Sequence, residues 1–178
     1  MDTLFARLST PPEPIATVLA EVAPAPIAWL SPGRLAAGKL TILEGDPGLG
    51  KSTLLCDWAA RISRGEALPG GRPGKPRGVL LLSAEDGLAD TIRPRLEAAG
   101  ADLSRIVALQ AIVDGDIRRP QQIPADVGQI AVLARKNDAA LVIIDPFVAF
   151  LAPSLSADRE QHIRRALSLV AFASERIG

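Results

Sequence analysis

The sequence reads as an α/β fold, a mostly parallel sheet with helices on both faces, and three observations carry that reading. Apolar runs of strand length alternate with segments of helical periodicity. Two of the runs, Gly78-Val79-Leu80-Leu81-Leu82-Ser83 and Ala140-Leu141-Val142-Ile143-Ile144-Asp145, are unbroken, as in strands covered on both faces. Between a third run and a helical segment lies Gly45-Asp46-Pro47-Gly48-Leu49-Gly50-Lys51-Ser52-Thr53, a complete G-x-x-x-x-G-K-S pattern.

Taken in order, residues 1–30 hold Pro11, Pro12, Pro14, Pro24 and Pro26 around short apolar pieces. They read as an arm or linker with one or two helical turns, either docked on a neighbouring subunit or disordered. Residues 29–39 form a turn that feeds a first strand, Leu40-Thr41-Ile42-Leu43-Glu44. After the glycine loop, Leu54, Leu55, Trp58, Ala59 and Ile62 recur at helical spacing, and Gly65 is the stop. Residues 65–77 are a surface loop by composition. The strand over 78–83 passes through Ala84-Glu85-Asp86-Gly87 into a helix over 88–99, closed by Gly100, with Pro94 tolerable only near a first turn. A third strand covers 105–109, residues 110–124 are loop-like, and a helix covers 126–137. The last strand ends in Asp145, and a final helix begins after a capping pair, Asp158 and Gln161. No internal repeat is present.

The glycine loop is where chemistry enters. Its glycines let backbone N–H groups approach phosphate oxygens, and the helix that follows offers unsatisfied N–H groups and the positive end of a dipole. Lys51 supplies a charge for the β- and γ-phosphates, and the Ser52 hydroxyl suits a Mg²⁺ ligand. An ordinary strand–helix turn is the plainer alternative, and the flanks argue against it. In open α/β sheets ligands bind outside the carboxyl ends of the strands, where Asp145 and Glu85 also lie. Asp145 would hold Mg²⁺ beside Ser52, although an acid can end a strand for capping reasons alone. Glu85 would orient or deprotonate an attacking water, or else it merely opens the next helix; Asp86 would then be the cap and Glu85 would face the site. Arg118 and Arg119 read as a solvated loop before they read as contacts to DNA or a nucleotide. Arg159, Arg164, Arg165, Arg176 and His162 read as the exposed face of the last helix. Trp29 belongs to packing before base stacking.

The totals exclude several classes. The 178 residues suit one domain, and 20 acidic against 20 basic residues leave no global field for nucleic acid or membrane. One cysteine, Cys56, cannot form an internal disulfide or a metal cluster, and reads as a small core residue in a reducing compartment. One histidine builds no His-based metal site. No signal peptide is visible, and the most apolar stretch, 139–153, is broken by Asp145 and Pro146 and too short for a bilayer. A soluble, cytoplasmic protein without a membrane partner is the expectation.

Three blocks in order carry a resemblance: 38–54 with the glycine loop, Leu80-Leu81-Leu82-Ser83-Ala84-Glu85-Asp86-Gly87, and Leu141-Val142-Ile143-Ile144-Asp145-Pro146. Together they resemble the RecA-like P-loop ATPases, and within them the RepA-like AAA-type group that includes plasmid and phage replicative helicases. The Ser-Ala-Glu-Asp-Gly block narrows the choice. The resemblance implies a RecA-like core over 31–178, ATP and Mg²⁺ as cofactors, Glu85 and Lys51 as catalytic residues, and Asp145 as the Walker B acid. It also implies homo-oligomers, often hexameric rings, with ATP between subunits and single-stranded DNA in the channel. In that family a further strand inserts between the phosphate-loop and Walker B strands. Here the chain stops at Glu175-Arg176-Ile177-Gly178, where that strand would begin, so the core is expected to be incomplete at its C-terminus. The leading reading is thus a Mg-ATP-binding, helicase-like motor domain. A regulatory nucleotide-binding module with little turnover and a P-loop small-molecule kinase are the alternatives. No N-K-x-D motif supports GTP, and no L-S-G-G-Q supports an ABC-type ATPase.

Overall fold

The computed structural model describes residues 15–155 and 160–177. Three parallel strands make the main sheet: β3 (Gly78–Ser83) lies between β4 (Ile106–Ala108) and β7 (Ala139–Asp145). Val79 to Leu82 are buried in β3, and their side chains alternate between two cores, as a strand's period of two requires. Val79 and Leu81 pack with Trp58, Ala59 and Ile62 of α1 (Lys51–Arg64) and with Leu96 of α2 (Arg93–Ala98). Leu80 and Leu82 pack with Ile130 and Ala134 of α3 (Val127–Lys136) and Ala166 of α4 (Glu160–Ile177). Helices therefore cover both faces of a parallel sheet, as the unbroken apolar runs predict.

Residues 40–44 correct the sequence reading. They have strand-like composition but no ladder partner, and Ile42 is 64% exposed. A strand exists only through a neighbour that takes its backbone N–H and C=O groups. Among the described residues β7 pairs with β3 alone, so nothing bridges the sheet to this segment.

The helix expected over 88–99 divides. A π-helical turn over Leu88–Ile92 leads into α2, with Pro94 near its start, where the missing N–H is harmless. Residues 110–124, read as a loop, contain an antiparallel hairpin, β5 (Ile112–Asp114) and β6 (Ile117–Arg119). Its two-residue connection is Gly115-Asp116, with Gly115 at φ +58°, the conformation such tight turns demand. A smaller hairpin, β1 (Trp29–Ser31) and β2 (Leu35–Ala36), precedes the glycine loop, and the Ser31 hydroxyl donates to the Pro69 carbonyl at 2.7 Å. Trp29 is 43% exposed there, so it is not a core residue. Residues 15–28 carry one short turn, Leu19–Glu21, and are exposed. Asp158 and Arg159 lie outside the described residues; Arg164, Arg165 and Arg176 are exposed on α4.

Candidate nucleotide site

The glycine loop runs directly into α1. Gly50 precedes the helix at φ +83° and Gly48 stands at φ +82°, left-handed conformations that glycine adopts without steric cost. Lys51 opens the helix, and its Nζ donates to the carbonyls of Gly45 at 2.7 Å and Asp46 at 2.9 Å. The ammonium is thereby held over the loop it would share with phosphate oxygens. Asp46, Pro47, Leu49 and Thr53 are exposed around it.

One residue further on, the Ser52 Oγ donates to Asp145 Oδ2 at 2.8 Å. The contact joins the first turn of α1 to the carboxyl end of β7. A hydroxyl and a carboxylate at this distance are oxygen donors suited to a hard cation. Among the described residues no group of three or more His, Cys, Asp or Glu could hold a metal ion.

Beside this pair is a small cavity of about 30 Å³ with a mostly apolar lining, to which Ser52, Ser83, Asp86, Arg95 and Asp145 also belong. Of the two acids that follow β3, Asp86 lines it and Glu85 does not, and this differs from the expected division of labour. Gly87, not Asp86, precedes the helical turn, and the Asp86 carboxylate accepts from Arg95 Nη1 at 2.8 Å. Glu85 is exposed at the end of β3. Arg95 escaped the sequence reading because its role depends on the fold of α2 against the 84–87 turn, which no local spacing reports.

Cys56 also lines the cavity and, half-buried, packs against the core of α1 and β3. Burial pushes its thiol above the usual range, Arg95 opposes the shift, and the charges of Asp86 and Asp145 add to it. Arg119 is engaged elsewhere: it binds Asp126 through both terminal nitrogens, at 2.7 and 2.8 Å. Arg118 is exposed on the hairpin.

A family model described as AAA domain matches residues 7–174 of the chain. No curated protein and no solved structure gives a match. Among the described residues no helix is long and apolar enough to cross a membrane.

Proposed function

The chain belongs to the AAA domain family and is an ATP-binding P-loop ATPase; from that premise we propose a Mg²⁺-dependent, DNA-associated motor of the RepA-like kind, hydrolysing ATP between subunits of a ring. The observation that supports it most directly is the Ser52–Asp145 contact at 2.8 Å. Residues 31–178 act as the core and residues 1–30 as an arm.

The loop amides of Gly45 to Thr53 cradle the β- and γ-phosphates, and the α1 dipole adds to their pull. Lys51 exchanges its two carbonyl acceptors for phosphate oxygens and offsets charge that grows as the terminal phosphoryl leaves. Ser52 and Asp145 are the residues that would hold Mg²⁺, which when bound would supply charge stabilisation to the phosphates. Glu85 orients the attacking water and accepts its proton. Single-stranded DNA and the neighbouring subunits are the partners of this reading.

A second reading, a regulatory module with little turnover, draws on one observation: Asp86 rather than Glu85 lines the cavity beside Ser52 and Asp145. ATP turnover with and without single-stranded DNA separates the two. DNA-stimulated turnover lost in Glu85→Gln, with ATP affinity retained, is the motor's result. Tight binding without turnover selects the module. Lys51→Ala is expected to weaken ATP binding about a hundredfold, and unchanged affinity and turnover in that variant remove the site assignment.

A further inference from the structure

We propose that Arg95 is a positioning residue: by holding Asp86 it fixes the 84–87 turn beside the nucleotide site, and with it the place of Glu85. The inference rests on the ATPase reading above and adds a residue to it.

Glu85 stands between two anchors. On one side the Ala84 N–H donates to the Asp145 carbonyl at 3.2 Å, tying the turn to β7. On the other, Asp86 Oδ2 accepts from Arg95 Nη1 at 2.8 Å, tying it to α2. The second anchor is firm, because the neighbouring Leu96 is 3% exposed and packs into the core with Ile92 and Ile143. Arg95 and Asp86 line the same cavity as Ser52 and Asp145, so the pair sits beside the cation-binding oxygens rather than on a remote surface.

Stability does not account for the pair. The side chains are 44% and 32% exposed, and ion pairs that open to water contribute little to folding. Geometry is what such a pair supplies: a carboxylate tethered to a helix places the preceding residue, and small misplacements of a general base cost rate rather than binding.

The test is steady-state ATP turnover by the whole chain with Arg95→Gln, Asp86→Asn, the double variant and Arg95→Lys, together with hydrogen exchange of the 84–87 amides. Each single variant is expected to lower kcat about tenfold with KM within about twofold, and the double variant to be no worse than either. Arg95→Lys recovers part of the loss. Exchange of the 84–87 amides rises about tenfold in both single variants while the melting temperature holds. Unchanged kcat, an effect confined to KM, or additive losses overturn the proposal. If the unaltered chain binds ATP without hydrolysing it, the motor reading has failed instead. The exchange data then decide alone: faster exchange upholds the tether, and equal exchange overturns it.

Discussion

Ser52 Oγ and Asp145 Oδ2 lie 2.8 Å apart although 93 residues separate them in the chain. The fold makes the contact by bringing the start of α1 over the carboxyl end of β7. If this pair holds the cation, its loss should be visible in the metal dependence of binding rather than in binding itself. Asp145→Asn keeps an acceptor for the hydroxyl and removes the charge. Mg²⁺ is expected to tighten ATP binding in the unaltered chain and to do so about tenfold less in Asp145→Asn, some 1.4 kcal/mol. Titration calorimetry with and without Mg²⁺ measures this. An identical metal dependence in both proteins sinks the assignment.

This pair was legible in the sequence because each partner announces its own place. Gly50-Lys51-Ser52 marks a helix start, and an apolar run closed by an acid marks a strand end. Both ends meet at one edge of a parallel sheet by topology alone. Arg95 has no such signature. Its partner Asp86 lies nine residues away, and only the packing of Leu96 and Ile92 turns that separation into a contact.

The two-core architecture predicts equal penalties on opposite faces of one strand. Leu80 is fully buried against α3 and α4, and Leu81 is 8% exposed against α1 and α2. Leu80→Ala and Leu81→Ala are each expected to cost about 2–5 kcal/mol, from lost transfer energy and the cavity left behind. Val132→Ala on α3, 58% exposed, should change stability by no more than about 0.5 kcal/mol. Urea unfolding decides: a near-neutral Leu81→Ala would show that the α1–α2 face is not a packed core.

Where sequence and structure part, the cause is a missing or unnoticed partner. Composition makes 40–44 look like a strand, yet pairing is a tertiary property and no described strand lies beside it. The β5–β6 hairpin is the opposite case. Its signal, Gly115-Asp116 between Ile112-Val113 and Ile117, was present, but the prolines and arginines downstream obscured it. Pro94 spoke plainly, and the helix divides one residue before it.

That hairpin carries a pH prediction. Asp126 has a side chain 1% exposed; it accepts from both terminal nitrogens of Arg119 and from the Gln122 N–H at 2.7 Å. The bonded Arg119 guanidinium holds its carboxyl below the usual range, burial opposes that, and the Gln122 amide assists. A carboxyl depressed in the native state releases its proton more readily there than in the unfolded chain. Its stabilisation is therefore complete above the unfolded value near ~3.9 and disappears as pH falls through the lower native one. Glu66, Asp102 and Glu175 are also held low, by Arg64, Ser104 and Lys39, so acid sensitivity of the unaltered chain has several sources. The difference from Asp126→Asn isolates one of them. At pH 7 the variant should be less stable by about 1.5–3 kcal/mol, the worth of a hydrogen bond to a charged acceptor. Below pH ~3.9 the gap should narrow, because the unfolded carboxyl takes up a proton there while the native one holds its charge to lower pH. Urea midpoints at pH 7, 5 and 3 measure it. A gap that stays constant across that range would mean that Asp126 contributes shape and not charge.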